Sequence, residues 1–355
     1  MSIISDPNRK VITMGKHKLL TEAEILENKK KNKPRKKLSL KVLIPIISVS
    51  LVVILLLSWV LICASTANSL LNPKRKGLLL NDGPMELDMV YNTFDIPGLN
   101  QGDQLICWWI PSQDYMAEEV PSNKTVVVSH NYGSNREMIE ISAIYLIRYM
   151  VHSGYNVVMF DYSGSGNSEG KNYTFGQEES KELSIVVDYV KATYEQEHIA
   201  VLGWGFGAAA AIAAGSENDN ISCIIADGSY LNLREYLEKD LSVWSYLPDG
   251  LFTPLTLKFM EKISGCDFEL SPYESVKKAE GKSFLFIHGI DDYIFPYENS
   301  NIMAELAGEN NFSDVVLFKT RHIYGFMDYE TNYTNEILDF LANHLGPEIA
   351  EESAE

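Results

Sequence analysis

The 355-residue chain has little cysteine, and its four cysteines form no recognisable site. Cys63 lies in a long apolar segment, which leaves Cys107, Cys223 and Cys266 in the remainder of the chain. Their odd number argues against a disulfide framework, and their spacing matches neither zinc nor redox motifs. Cys107 and Cys223 lie in strand-like runs, where we expect them to be buried. The sequence therefore predicts no metal site and no cofactor.

Basic residues are scarce outside the N-terminal segment. Residues 1–41 hold 12 Lys and Arg against 4 Asp and Glu, whereas the rest of the chain holds 18 against 44, a net charge of −26. A domain this acidic repels nucleic acid and anionic lipid headgroups, so we expect neither as its partner. We assign the basic cluster at the N-terminus to membrane topology and inner-leaflet contact. A nucleic-acid-binding arm is the alternative.

Charge is absent between Lys41 and Lys74, and residues 42–64 are apolar or uncharged throughout. This run exceeds the roughly 20 residues that cross a bilayer, and it lacks the polar face expected of a buried core helix. Residues 64–67 resemble a signal-peptide cleavage site, but the 41 residues before the run exceed a normal signal n-region. Cys63 follows bulky Ile62, which argues against a lipobox. The sequence therefore predicts an uncleaved membrane anchor.

The distribution of basic residues predicts the orientation of this anchor. By the positive-inside rule, the N-terminus lies in the cytoplasm and the folded domain lies outside the cell membrane, to which it is attached by a single pass. The predicted segments are a basic cytoplasmic region (1–41), the anchor (42–64), a linker (65–84), one large α/β domain (85–346) and an acidic tail (347–355).

A glycine-rich segment, Gly203–Gly207, is the most informative part of the chain. The apolar run before it, residues 198–202, predicts a short buried strand, and the small residues after it, 208–214, predict a helix. Gly203, Gly205 and Ala208 fit a dinucleotide-binding fingerprint, with Asp227 at the end of the next strand as the ribose ligand. Strand, sharp turn and helix also describe a nucleophile elbow. This segment alone leaves both interpretations open.

Four other strand-like runs end in polar residues. The runs are 125–129, 156–160, 283–287 and 315–318, with a helical stretch from Met138 to Val151 after the first. The residues that follow them are His130-Asn131-Tyr132-Gly133, Asp161-Tyr162-Ser163-Gly164-Ser165-Gly166, His288-Gly289-Ile290-Asp291-Asp292 and Thr320-Arg321-His322. In order and spacing these landmarks resemble the α/β-hydrolase superfamily, especially its bacterial membrane-anchored, serine aminopeptidase-type esterases and peptidases. The resemblance covers residues 85–345.

This resemblance implies an α/β fold with a mostly parallel central sheet and helices on both faces, and it favours a hydrolase over a dinucleotide-binding oxidoreductase. It implies that Asp292, four residues before Pro296, is the triad acid, with Asp291 as the less favoured alternative. His322 matches the general base, and Gly205 occupies the position of the serine nucleophile. The backbone N–H groups of Tyr132 and Phe206 would form the oxyanion hole.

Two departures from the superfamily pattern concern activity. Asn131 stands where a glycine usually follows His130, which affects the shape of the oxyanion loop. Gly205 has no side chain to act as a nucleophile, although glycine adopts the positive φ of an elbow without steric cost. We therefore predict a pseudo-hydrolase that binds an acyl, ester or peptide-like ligand, and we expect Gly205→Ser to restore activity.

The alternative is an active esterase or peptidase that uses a non-standard nucleophile, either Ser229 or a water molecule activated by His322. Ser163 and Ser165 follow an earlier strand, where the superfamily has a structural turn, and we interpret them as structural. The insertion over residues 231–281 is rich in apolar bulk. It forms either helices that cap the pocket or ordinary helices packed on the sheet.

Overall fold

The computed structural model describes residues 22–31 and 39–346, and the predicted acidic tail lies outside them. The chain divides into two compact units, residues 1–59 and 60–355. The first contains helix α1 (Glu22–Lys31) and the start of helix α2 (Leu40–Leu71). Within the described residues, α2 is the one helix long and apolar enough to span a membrane.

Helix α2 continues past the predicted end of the anchor at residue 64. Its last two turns belong to the second unit, where Ala67, Leu70 and Leu71 are buried in the hydrophobic core. The first part of the predicted linker is therefore helical, because tertiary packing extends the helix beyond the apolar run.

The second unit is built on one eight-stranded sheet. The strands are β1 (Asn92–Pro97), β2 (Gln104–Ile110), β3 (Lys124–Ser129), β4 (Asn156–Phe160), β5 (His198–Trp204), β6 (Ile221–Asp227), β7 (Ser283–Gly289) and β8 (Phe312–Phe318). They lie in the order β1-β2-β4-β3-β5-β6-β7-β8. β2 pairs antiparallel with β1 and β4, and the six strands β4, β3, β5, β6, β7 and β8 are parallel. This arrangement confirms the predicted mostly parallel sheet.

Helices cover both faces of the sheet, as predicted. The helices are α3 (Ala143–His152), α4 (Gln177–Thr193), α5 (Phe206–Glu217), α6 (Leu233–Asp240), α7 (Ser242–Ser245), α8 (Asp249–Ser264), α9 (Pro272–Lys278), α10 (Glu298–Ala307), α11 (Gly325–Asp328) and α12 (Glu330–His344). Two buried hydrophobic clusters form the core, one beneath α3 and α12 and the other beneath α4, α5 and α10.

The helical stretch predicted from Met138 is interrupted. A short 3₁₀ turn, Ile139–Ile141, precedes α3, because Met138 and Ser142 adopt left-handed backbone conformations with φ of 43° and 57°. Such single-residue conformations leave no trace in hydrophobic periodicity. The predicted burial of Cys107 and Cys223 is confirmed, and both cysteines are unpaired.

The insertion after β6 contains both of the predicted kinds of helix, those that cover the pocket and those that pack on the sheet. The Trp244 ring of α7 packs on the rings of Tyr132 and Phe206, with centroids 5.2 and 5.4 Å apart. Leu257 and Met260 of α8 instead belong to the hydrophobic core. The insertion therefore both covers the region above β5 and contributes to the body of the domain.

The sheet topology brings several loops to one edge. Parallel pairing aligns Ser129 with Gly203 and Trp204 with Asp227, so these strands end together. β7 and β8 end at the same edge, where Gly289 pairs with Phe318. In open α/β sheets, ligands bind outside the carboxyl ends of such strands.

Candidate active site

Gly205 forms the sharp turn between β5 and α5, with φ of 60° and ψ of −119°. Its N–H donates to the Asp227 carbonyl at 2.8 Å. The flanking glycines allow close backbone packing: a Cβ on Gly203 would lie 2.3 Å from the Gly207 carbonyl oxygen, and one on Gly207 would lie 2.5 Å from the Ser129 oxygen. The spacing of these glycines therefore reflects the contact of α5 with the strands.

The dinucleotide interpretation receives no support from Asp227. Its carboxylate is buried and accepts a hydrogen bond from the Tyr333 hydroxyl at 2.9 Å. That hydroxyl accepts in turn from Trp204 Nε1 at 2.9 Å. Asp227 thus faces the protein core, where a ribose has no access.

The same burial makes Asp227 a source of pH-dependent stability, since burial raises the pKa of its carboxyl to about 7. The unfolded chain releases this proton near pH 3.9, so between about pH 4 and pH 7 the folded state holds a proton that the unfolded state has lost. Stability conferred by this group is therefore present at low pH and is lost as the pH rises. Asp227→Asn keeps an acceptor for Tyr333 but does not titrate. We expect the variant to gain up to about 4 kcal/mol relative to the wild type between pH 4 and pH 7.

Urea unfolding of both proteins across this pH range measures the effect. The buried carboxyl of Glu182, whose pKa burial also raises to about 7, is present in both and cancels in the comparison. Parallel pH profiles would contradict the assignment to Asp227.

Asp292 and His322, which the sequence placed on separate loops, are in direct contact. His322 Nδ1 lies 2.6 Å from Asp292 Oδ2, and the carboxylate is fully buried. His288 Nε2 lies 3.2 Å from the same oxygen. Although burial opposes it, hydrogen bonds from His288 and His322 hold the pKa of Asp292 well below its usual range. Because an ionised carboxylate only accepts hydrogen bonds, His322 carries its proton on Nδ1.

The other ring nitrogen, His322 Nε2, is buried and has no hydrogen-bond partner among the described residues. Asp291, the alternative triad acid, has an exposed side chain. The geometry therefore brings Asp292, and not its neighbour, together with His322.

The backbone N–H groups of Tyr132 and Phe206 converge on a single atom. Both donate to Asn131 Oδ1, at 2.8 and 3.0 Å. The Asn131 carboxamide also occupies the space above Gly205: a Cβ at that position would lie 2.4 Å from Oδ1 and 2.7 Å from Cγ. The sequence identified Asn131 as a departure from the superfamily pattern, but the position of its side chain depends on tertiary contacts.

Buried polar groups hold the loop that carries Asn131 in place. His130 Nε2 accepts from the Tyr162 N–H at 3.1 Å, so Nδ1 carries the proton and donates to the Asn131 carbonyl at 2.8 Å. Burial lowers the pKa of His130, which favours this neutral form. Asp161 accepts from the Arg136 backbone N–H at 2.7 Å and forms a buried ion pair with the Arg136 guanidinium.

The serines considered as substitute nucleophiles have other partners. Ser229 is buried, and its hydroxyl donates to the Tyr230 carbonyl at 3.0 Å and not to His322. The Ser163 hydroxyl and N–H both donate to the buried Glu182 carboxylate. Neither serine is hydrogen-bonded to the histidine that would have to activate it.

A cavity of about 470 Å³ opens in front of the Asn131 carboxamide. Among the described residues, no group of three or more His, Cys, Asp or Glu side chains is arranged to hold a metal ion. The cavity is lined by polar or charged residues (Lys76, Asn131, Glu140, Arg321 and His322), by aromatic residues (Tyr132, Trp244, Tyr246, Tyr293 and Tyr324) and by aliphatic residues (Ile141, Val243, Ile294 and Ile323).

Sequence comparisons connect this arrangement to known proteins. A model of the prolyl oligopeptidase family matches residues 142–348. The uncharacterized protein YfhR of Escherichia coli K12 is 23% identical over 251 residues, which cover 70% of this chain and 79% of YfhR. The uncharacterized protein YqkD of Bacillus subtilis 168 is 27% identical over 212 residues, which cover 56% and 68% of the two chains.

Solved structures with the same fold include two archaeal hydrolases. The Pyrococcus furiosus esterase Pf2001 matches with a TM-score of 0.62 and 24% identity, over 77% of this chain and all of the esterase. The acylaminoacyl peptidase of Pyrococcus horikoshii matches with a TM-score of 0.54 and 16% identity, over 78% of this chain and 45% of the peptidase. At these identities the likeness shows the fold alone, and it confirms the predicted α/β-hydrolase fold.

Proposed function

We propose that this chain, which belongs to the prolyl oligopeptidase family, is a membrane-tethered pseudo-hydrolase. It binds an acyl, ester or peptide-like ligand without hydrolysing it. The observation that carries the proposal is Gly205, which adopts the positive φ of the turn between β5 and α5 and has no side chain. In a serine hydrolase this turn presents the nucleophile.

The remaining site supports binding better than turnover. Asp292 and His322 are arranged as an acid–base pair, but no hydroxyl of the described residues is hydrogen-bonded to Nε2. Asn131 occupies the two N–H donors that would stabilise an oxyanion. Loss of a serine nucleophile typically lowers turnover by about a millionfold, while binding and oxyanion donors leave a residual acceleration of about a thousandfold over water.

One observation favours an active alternative, in which His322 activates water. Its Nε2 has no hydrogen-bond partner among the described residues, and His322 is one of the residues that line the cavity. A water molecule in line with this nitrogen would attack a bound ester without a covalent intermediate. Ser229, the other alternative nucleophile, is held by the Tyr230 carbonyl.

We expect the full-length protein to hydrolyse p-nitrophenyl esters and aminoacyl p-nitroanilides no faster than an Asp292→Asn/His322→Ala variant. The reason is that Gly205 supplies no side-chain nucleophile at the turn and that the Asn131 side chain occupies both N–H donors of the oxyanion site. Release of p-nitrophenol and p-nitroaniline, followed spectrophotometrically, measures both reactions. A wild-type rate that depends on His322 would contradict the pseudo-hydrolase and establish an active enzyme that uses His322 as its base.

Membrane tethering rests on helix α2 and on the charge asymmetry on its two sides. We expect protease added to intact cells to digest residues 85–355 while sparing the N-terminal segment, because the positive-inside rule places the basic segment in the cytoplasm. Immunoblotting against tags at the two ends follows each part, with a cytoplasmic protein as the control for lysis. Protection of the domain until the cells are lysed would contradict this orientation.

A further inference from the structure

We propose that the cavity in front of Gly205 binds a carboxylate group, which takes the place of the Asn131 carboxamide. The ligand class is a monocarboxylic acid with an apolar or aromatic body, derived from a fatty acyl chain or from a peptide C-terminus. This inference rests on the proposed function, since it treats the cavity as a site that binds its ligand without hydrolysing it.

The Asn131 side chain acts as an internal ligand of the site. Its carboxamide is planar and has the shape of a carboxylate, and its oxygen accepts from both N–H donors. Its carbon Cγ and nitrogen Nδ2 lie 2.7 and 2.9 Å from the position that a Cβ of residue 205 would occupy. A group of this shape therefore fits between Gly205 and the cavity. A carboxylate in the same place would accept the same two hydrogen bonds with a charged oxygen, and charge-assisted hydrogen bonds are roughly twice as strong as neutral ones.

A second feature, independent of the backbone donors, also points to a ligand here. His322 is about nine-tenths buried, and its Nε2 has no hydrogen-bond partner among the described residues. Since Nδ1 donates to Asp292, Nε2 is the ring nitrogen left to pair with the second oxygen of a carboxyl group, and the acid's own proton then lies between these two atoms. Buried polar groups are normally hydrogen-bonded, so an unpaired nitrogen on a residue that lines the cavity indicates a missing partner.

The charges around the cavity favour an anion, although the domain as a whole is strongly acidic. The positive end of the α5 dipole lies at Phe206, whose N–H is one of the two donors. Arg321 is exposed at the cavity, with its guanidinium carbon 3.9 Å from the centre of the Tyr324 ring. The only carboxylate in the described lining, Glu140, is paired with Lys76 at 3.2 Å.

The rest of the cavity determines the size and polarity of the ligand that fits. A volume of about 470 Å³ suits one small molecule, and much of the lining is aliphatic or aromatic. Tyr246 and Tyr293 are 89% and 76% exposed, which leaves their rings free to cover an apolar ligand.

The test is calorimetric titration of the full-length protein in nanodiscs with two acids and their neutral amides. Octanoate is compared with octanamide, and N-acetylphenylalanine with N-acetylphenylalaninamide; empty nanodiscs correct for partition into lipid. We expect at least one acid to bind about tenfold or more tightly than its amide, and the better pair identifies the fatty acyl or the peptide source.

Variants of Asn131 test the displacement. Asn131→Gly removes the internal ligand and should raise the affinity for the acid by about tenfold, since two hydrogen bonds no longer compete. Asn131→Asp supplies a tethered carboxylate and should abolish binding. Asn310→Gly and Asn310→Asp, in an exposed turn, are the matched controls and should leave affinity unchanged.

Equal affinity for acid and amide in Asn131→Gly, or no binding of either acid to it, would overturn the inference. An Asn131→Gly affinity no higher than that of wild type would do the same. These outcomes would not contradict the proposed function, because that proposal is tested by ester hydrolysis and not by ligand preference.

Discussion

The double variant Asn131→Gly/Gly205→Ser is expected to hydrolyse small aryl esters, whereas Gly205→Ser alone is not. In the wild type a Cβ on residue 205 would lie 2.4 Å from Asn131 Oδ1, a distance that real Cβ atoms essentially never show. A serine therefore fits only after the carboxamide has moved. Removing Asn131 also frees the N–H groups of Tyr132 and Phe206, which a tetrahedral intermediate requires.

Three assays make this prediction specific. The double variant should exceed the wild-type rate on p-nitrophenyl acetate by on the order of a thousandfold, a fraction of the millionfold that a serine nucleophile supplies. Asn131→Gly alone should remain inactive, and adding His322→Ala to the double variant should abolish the gain. Activity in Gly205→Ser alone would show that the carboxamide moves aside without help. An inactive but folded double variant would contradict the assignment of His322 and Asp292 as a competent pair.

The same substitutions should be coupled in stability. Gly205→Ser alone combines a positive φ, which costs on the order of 1 kcal/mol, with the overlap at Asn131. Asn131→Gly removes the overlap but not the backbone strain. A thermal-unfolding double-mutant cycle should therefore give a favourable interaction between the two substitutions, and additivity would contradict the contact.

Asp161→Ala is expected to destabilise the domain more than any exposed ion-pair substitution. The variant leaves the Arg136 guanidinium, which is 3% exposed, without its partner, and it removes the acceptor for the Arg136 and Asn167 backbone N–H groups. Breaking a buried pair in this way typically costs about 3–5 kcal/mol. The melting temperature should fall by roughly 10 °C.

Glu238→Ala is the matched control for Asp161→Ala. Glu238 pairs with Arg234 at the surface, and Arg234 keeps a second partner, Glu261. An exposed pair of this kind contributes less than about 1 kcal/mol. Equal effects of the two substitutions in thermal unfolding would show that the Arg136–Asp161 pair does not hold the loop that carries Asn131.

Much of the fold could be predicted from sequence because the strands alternate with helices and end in polar residues. The run that ends before His130 is a fully buried strand, and the run that ends before His288 is buried apart from the half-buried Ser283. Their order implied the sheet edge at which the polar loops meet. Since the carboxyl ends of parallel strands meet at one edge, the contact between Asp292 and His322 follows from that order.

Other features depend on tertiary contacts that a linear pattern does not contain. The extension of α2 to Leu71 comes from burial of its last turns in the core, and the break before α3 comes from the left-handed backbone at Ser142. The carboxamide of Asn131 reaches the Phe206 N–H, which is 75 positions away in the chain. Sequence reasoning identified an unusual residue at position 131 but not the atoms it contacts, and so it predicted activity from Gly205→Ser alone.

The most direct test of the account is intact-mass spectrometry of the full-length protein after incubation with a fluorophosphonate, which reacts with a nucleophile activated by a base. We expect the wild type to remain unmodified, while Asn131→Gly/Gly205→Ser gains the mass of one adduct. Stoichiometric labelling of the wild type would contradict the pseudo-hydrolase, and a labelled peptide containing Ser229 would establish an active enzyme with a different nucleophile.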